Sequence, residues 1–469
     1  MRIVPQQKQD AAQYFNFYTP AQWQEKQEQI NPKIGKLFSG QKNETFILVE
    51  EHAVTFLIGL GDRPDFADIQ NTAAQFAHQF RKKISAVPTG IHAGSLDEKE
   101  VEQLATGLSL GTYEYPYQGK HPFCQTEFEL RLNLSEGAVV HIEKKTSAIT
   151  EGQFACMEWL NKPQNHKRVS HISVYLKEIS ERYGFKLTVF DRQESAALGL
   201  GAFLAVNDGS SQDAAFTILE YRSAEPNAKT IGLVGKCVLF DTGGISIKSA
   251  DNLHYMKSDM GGATAVIGTL IAAAEMKLPV NIVAVLPVTD NVVSNTSYLP
   301  SDVVTAYNGK TIEIINTDAE GRLTLADGLS YLAANYKTDV MIDLATLTGS
   351  SVRMFGNTCG ALFSNDAALA GDLAAAGDHT GQRLWPLPLW DVWKEDFTSD
   401  VADFKNISLK PVGDCIIAAK FLEQFIENHP AWAHLDIAGV SFGNVPYAKE
   451  KAATGYGVQL LLKFIEKIL

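Results

Sequence analysis

Gly235-Lys236-Cys-Val-Leu-Phe-Asp241-Thr-Gly-Gly-Ile-Ser-Ile-Lys248 is the stretch on which the reading of this chain turns. An apolar strand runs into an aspartate and then into two glycines, which permit tight turning and close approach of backbone to a ligand. The same grammar recurs in Ile314-Ile-Asn316-Thr-Asp318-Ala-Glu320-Gly-Arg322-Leu323, where a strand delivers two carboxylates and an arginine just before a helical run. It recurs again in Met341-Ile-Asp343-Leu-Ala-Thr346-Leu-Thr348-Gly349. Polar groups gathered at the carboxyl ends of apolar strands are where open α/β sheets place their ligands.

Working outward, the pattern predicts strands at 186–190, 203–207, 215–221, 230–240, 280–288, 311–315 and 340–347. Helical runs are predicted at 170–183, 261–276, 322–334 and 416–427. Strands alternating with helices specify an α/β fold with a mostly parallel central sheet covered by helices. The first part of the chain reads as a smaller α/β unit of its own. Its expected strands are 45–50, 53–60, 83–88, 127–134 and 137–143, and its expected helices 69–82 and 98–111. A helical run at 150–160 stops at Asn161-Lys-Pro-Gln-Asn165, a polar, proline-containing break. These readings divide the chain into an N-terminal α/β domain, 1–145, a connecting segment, 146–165, and a larger α/β domain, 166–469.

Composition narrows the class. At 469 residues the chain exceeds one ordinary core, and its 45% apolar and 20% charged residues are a globular balance. A net charge of −13 repels phosphate backbones and anionic lipid, which disfavours nucleic acid as a partner. The five cysteines, Cys124, Cys156, Cys237, Cys359 and Cys415, show no C-x-x-C spacing, so a reducing compartment is expected. The N-terminus lacks the apolar run of a signal peptide and no stretch is long and apolar enough for a membrane span, so a cytoplasmic, membrane-free protein is expected.

Asp241, Asp259, Asp318 and Glu320 are the candidate carboxylates. Asp318 and Glu320 are two apart and face the same way in an extended segment. Asp259, in Met256-Lys-Ser-Asp259-Met-Gly-Gly, reads either as a ligand or as an N-cap of the helical run that follows. Converging carboxylates must protonate, pair with cations or bind metal, and oxygen-rich sites suit Mg²⁺, Mn²⁺ or Zn²⁺. Four exceed the need of one ion, so a bridged pair able to activate water is a natural reading. Lys248 and Arg322 then offer fixed positive charge to a developing oxyanion. Spacing alone leaves the plainer alternatives open: turn and cap aspartates, solvated lysines at 236 and 248, and a surface ion-pair cluster at 318–322. No H-E-x-x-H, G-x-S-x-G or phosphate-loop motif is present, and His254 and His434 read as structural.

Complete at 316–323, Asn-Thr-Asp-Ala-Glu-Gly-Arg-Leu resembles the hallmark of the leucyl aminopeptidase family of cytosol metallopeptidases. The resemblance extends to Val234-Gly-Lys236, 240–248, Met256-Lys-Ser-Asp259-Met, Ala345-Thr-Leu-Thr-Gly349 and Trp432-Ala-His-Leu-Asp-Ile-Ala-Gly439, about the last 300 residues. It implies an aminopeptidase that removes N-terminal residues, apolar ones such as Leu preferred, with a water bridging two divalent ions, Zn²⁺ or Mn²⁺. Asp241 and Glu320 are implied as bridging ligands, Lys236 and Asp259 as completing the tighter site, and Asp318 as completing the exchangeable one. Lys248 is implied to polarise the scissile carbonyl, and Arg322 to hold a bicarbonate anion that acts as general base. Met256, Thr346, Leu347 and Gly349 are implied to contact substrate, and the assembly is implied to be a homohexamer. Some relatives also bind DNA in regulatory roles, and two-metal phosphoester hydrolysis is the other chemistry such a centre supports. The segment Val412-Gly-Asp-Cys-Ile416 departs from the small-residue segment usual in the family. There Asp414 or Cys415 alters side-chain preference, or both point elsewhere.

Overall fold

The computed structural model describes residues 1–6, 11, 13–30, 34–84, 89–92, 96–114 and 129–469. It divides into two compact units. The first comprises Met1–Glu151 with the short segments His379–Gly381 and Pro446–Lys449, and the second holds the remainder.

The first unit carries a six-stranded sheet in the order Arg2–Pro5, Glu129–Leu132, Thr89–His92, Gln13–Tyr18, Val54–Gly59, Thr45–Val49. All of these neighbours are parallel except the last pair. Phe15, Phe56 and Phe76 meet edge to face at 4.7–5.6 Å in its core. The helix Glu98–Leu110 starts at a capping box: Asp97 accepts from the Glu100 amide at 2.9 Å while Glu100 accepts from the Asp97 amide at 2.8 Å.

Three expected strands are corrected. Residues 137–143 belong to the helix Glu136–Asn161, in which Val139, Ile142 and Thr146 are buried at helical spacing. Of the run 83–88, residues 83–84 close the helix Phe66–Ile84 and 85–88 lie outside the described residues. Residues 203–207 fall in the helix Gly201–Asn207, buried through Phe203 and Val206 three apart, with the Phe203 amide donating to Asp327 at 2.8 Å. Short apolar runs do not reveal their period, and tertiary partners decide it.

The second unit is built on a nine-stranded sheet. Its parallel centre runs Trp432–Asp436, Val340–Ala345, Thr230–Gly235, Asn281–Asn291, with Cys237–Asp241 also pairing in parallel to Asn281–Asn291. Antiparallel pairings bring in Gly360–Ser364 on one side and Ala215–Tyr221 on the other. Two almost wholly buried helices cover the centre. A Cβ on Gly235 would lie 2.5 Å from Ala263 of the helix Gly261–Met276, and one on Gly328 of the helix Gly321–Asn335 would lie 2.8 Å from Val234. Neighbouring strand residues point to opposite faces, so these helices cover opposite faces of the sheet. The fold is therefore the expected α/β arrangement with a mostly parallel, helix-covered sheet.

The expected single strand 230–240 is two strands, Thr230–Gly235 and Cys237–Asp241, interrupted at Lys236. The Lys236 amide donates to Leu344 O and its carbonyl accepts from Ala263 N, both at 3.0 Å. The interruption keeps the backbone satisfied while turning the strand end towards the site. Among the described residues no helix is long and apolar enough to cross a membrane. Cys156, Cys237, Cys359 and Cys415 are free, and Cys124 lies outside the described residues.

Candidate metal centre

Three of the four candidate carboxylates, Asp241, Asp259 and Glu320, lie together, and Asp318 is joined to them through Lys248. Asp241 closes the Cys237–Asp241 strand, and Glu320 sits at the N-cap position of the helix Gly321–Asn335. Asp259 follows the 3₁₀ turn Leu253–Ser258. Asp259 is not the N-cap of the next helix: Met260 holds that position with no side-chain cap, which leaves the Asp259 carboxylate for the centre. Ligand oxygens of Asp241, Asp259 and Glu320 lie within 4.8 Å of one another, and all three residues are buried.

Two ammonium groups are wedged among these carboxylates. Lys236 Nζ lies 2.7 and 2.8 Å from the two oxygens of Asp259 and 2.8 Å from Glu320. Lys248 Nζ lies 2.7 Å from Asp241 and also contacts Asp318. Each ammonium group thus sits between two carboxyl groups, four carboxyls to two lysines. Side chains on the Lys236 side are sealed, at 3% exposure for Lys236 and 2% for Glu320. The Lys248 side is open, at 25% for Lys248 and 31% for Asp318.

Proton affinities follow from this crowding. Burial, with repulsion from Glu320 next, pushes the Asp241 carboxyl up to about 6 from 3.8. Burial likewise drives Asp259 well above the ordinary range and raises Asp318. Burial would raise Glu320 as well, but Lys236 and Lys248 outweigh it and hold that carboxyl low. Burial would depress both lysines, yet the surrounding carboxylates overcome it and hold them protonated.

Several residues that the sequence reading passed over build this geometry. Asn291, fully buried at the end of Asn281–Asn291, donates to Asp241 at 2.8 Å and to Thr317 O at 3.0 Å. Its strand ends in Thr-Asp-Asn after an apolar run, the same signal that marked Asp241. Thr317 ties the two glycine-flanked loops together, accepting from the Ser246 amide at 2.8 Å and donating to Gly243 O at 2.6 Å. Asn406 clamps the loop before Asp318, accepting from the Ile315 amide and donating to Asn316 O at 2.7 Å. No local pattern marks Asn406, which is brought in from far along the chain. Gly321 is required for packing: a Cβ there would lie 2.5 Å from Lys236 Cε.

Of the expected substrate contacts, Thr346 touches the centre directly, donating to Asp259 at 2.7 Å while its carbonyl accepts from Lys236 at 2.9 Å. Leu347 and Gly349 continue that loop, which buried Asp436 anchors through the Leu347 amide at 3.3 Å and the Thr348 hydroxyl at 2.6 Å. Met256 is half-buried on the 3₁₀ turn that leads to Asp259. Arg322 is buried, and its Nη1 donates to Asn406 O at 2.7 Å. Its Nη2 lies 3.6 Å from Asp414, and its Nε has no partner. Asp414 therefore turns towards Arg322. Cys415 packs with Ala361, Phe363 and Ala419 while its thiol hydrogen-bonds Ser350. His434 pairs with Asp343 at 2.5 Å, both fully buried, with Trp432 Nε1 donating to the same carboxylate at 2.9 Å. That set braces the sheet and supplies nothing to the carboxylate cluster, as expected for a structural histidine.

Residues 154–462 match the profile of the catalytic domain of the cytosol aminopeptidase family. A probable cytosol aminopeptidase of Chlorobium limicola is 39% identical over 432 residues, covering 88% of this chain and 86% of that protein. One from Rickettsia massiliae is 44% identical over 322 residues, covering 68% and 64%. Among solved structures, the bottromycin maturation enzyme BotP in complex with Mn superposes with a TM-score of 0.87 at 27% identity, covering 98% of this chain and 100% of that one. A mutant tomato leucine aminopeptidase gives 0.87 at 27% identity, covering 99% and 96%.

Proposed function

The chain belongs to the cytosol aminopeptidase family, and from that premise we propose that it is a dinuclear metallo-aminopeptidase that releases N-terminal residues, apolar ones such as Leu preferred, from peptides. The observation that carries the metal count is the pair of ammonium groups, each lodged between two carboxylates. Four converging carboxylates with two built-in cations suit two divalent ions, and the Mn complex of BotP supports a divalent metal. Zn²⁺ and Mn²⁺ are the ions we favour.

In this reading Asp241 and Glu320 would be held in common by the two ions, Lys236 and Asp259 would serve the sealed site, and Asp318 would serve the open one. The different exposures of Lys236 and Lys248 support a tight site and an exchangeable site. When bound, the ions supply Lewis acidity that acidifies a water and polarises the scissile carbonyl. Lys248, partly exposed and freed from Asp241 and Asp318, reaches the carbonyl oxygen and steadies the negative charge that develops on it. Asn291 and Thr317 hold the two loops so that these groups need little reorganisation. Met256, Thr346, Leu347 and Gly349 border the first side chain of the substrate. A cytoplasmic address and a homohexamer complete the proposal.

The test is a panel of leucine amide, N-acetyl-leucine amide, a leucyl peptide and a phosphate monoester on one metal-loaded preparation. Only substrates with a free α-amine should be cleaved, one residue at a time. Equal cleavage of the acetylated amide, or hydrolysis of the phosphate ester alone, overturns the proposal. Lys248→Ala should lower kcat by roughly 10²–10³-fold with a smaller change in KM. A loss confined to KM would remove Lys248 from the chemistry.

Lys236 has a further consequence. It is protonated among its carboxylates, whereas a lysine that ligates metal must be neutral. Metal uptake should therefore release at least one proton per chain at mildly alkaline pH, read by calorimetry in buffers of differing ionisation enthalpy. Uptake without proton release would take Lys236 out of the ligand set.

A further inference from the structure

We propose that the anion working with Arg322 is the chain's own Asp414, in the place where the family resemblance puts bicarbonate. This rests on the aminopeptidase reading and names the general base that the carboxylate cluster lacks. Arg322 lies in the first turn of the helix Gly321–Asn335, and the charge of Glu320 acts on its guanidinium. It is a buried cation that calls for a counter-anion. The chain brings one: Asp414 opens the helix Asp414–Leu422 and puts Oδ1 3.6 Å from Nη2. Ser350 Oγ lies 3.1 Å from the other oxygen and fixes the carboxylate from the substrate-loop side. Gly413, at φ 71, makes the left-handed turn that delivers the helix in this direction.

A second free anion fits poorly here. Asp414 already neutralises the guanidinium, Asn406 O occupies Nη1, and a bicarbonate beside Asp414 would face a like charge at short range. The Nε of Arg322 has no partner, and the Asp414 side chain is 45% exposed. That exposure leaves the carboxylate open to a water. Asp414 takes a proton from the attacking water as the new C–O bond forms. It gives that proton to the leaving amine as the C–N bond breaks, and so is regenerated.

The test uses the metal-loaded full-length protein in buffer stripped of carbon dioxide. Wild-type hydrolysis of leucine amide should be unchanged by millimolar bicarbonate. Asp414→Gly should lose about 10²-fold in kcat and recover much of it with bicarbonate or formate. Asp414→Asn, which keeps the size, should lose the same and guards against a folding failure in the glycine variant. A readout independent of turnover is ¹³C-bicarbonate binding by NMR to the protein without metal: saturable for Asp414→Gly, absent for wild type and for Asp414→Gly combined with Arg322→Met. Several-fold stimulation of wild type by bicarbonate, or equal bicarbonate binding by wild type and Asp414→Gly, overturns the proposal. If no preparation cleaves leucine amide, the aminopeptidase reading has failed, and the binding measurement still decides the role of Asp414.

Discussion

Asp241→Asn should lower leucine amide hydrolysis by about 10³-fold or more, because several kcal/mol of transition-state stabilisation depend on a shared ligand. Without metal, the same variant should be more stable than wild type above pH 6. The sign follows from the direction of the shift. In the fold the Asp241 carboxyl titrates near 6, raised first by burial and then by Glu320, against 3.8 for an unperturbed aspartate. The folded state therefore binds this proton more tightly than the unfolded chain does. The stability linked to it is fully present below 3.8 and is lost as pH rises to about 6. Asparagine has no charge to bury, so the advantage of the variant should grow from pH 4 to pH 6 and then level off. Urea unfolding of both proteins across that range measures it. A wild type more stable than the variant at neutral pH would mean that Asp241 is a structural ion-pair partner, and the metal reading would lose its central ligand.

Removing the metal should have an effect of at least that size. After dialysis against a strong chelator, hydrolysis of leucine amide should vanish, and Zn²⁺, Mn²⁺ or Co²⁺ should restore it. Stability should change in parallel: an ion held at a hundred times its dissociation constant adds about 2.7 kcal/mol per site to the folded state. Thermal unfolding should therefore move to higher temperature on reloading, with the shift abolished in Asp241→Asn. Full activity after verified metal removal would refute the mechanism.

The sequence disclosed the parallel sheet and the carboxylates because both obey local rules. Asp241 at a strand end and Asp318 in the loop after Thr311–Glu313 stand out against apolar neighbours, and the glycines beside them mark close approach. Lys236 was invisible to spacing, since a single lysine at a strand end reads as a solvated charge. Its burial is created by the interruption between two strands and by the missing Cβ of Gly321, neither of which a local pattern contains. Asp259 was ambiguous for the opposite reason, because an aspartate ahead of a helical run fits a cap as well as a ligand. Asn406, Asp414 and Asp436 reach the site from segments far along the chain, and only the tertiary arrangement reveals them. The runs at 137–143 and 203–207 were misread because a few apolar residues carry no period of their own.

Lys236 and Lys248 also bear on how such an enzyme comes into being. A cluster of buried carboxylates alone would oppose its own assembly, and the chain would have to wait for metal before it could fold. Here two ammonium groups hold the places of the incoming ions, so a newly made chain can complete its core first and be loaded afterwards. Loading becomes an exchange of protons for metal. Because protons leave as metal enters, rising pH and metal supply would favour loading together.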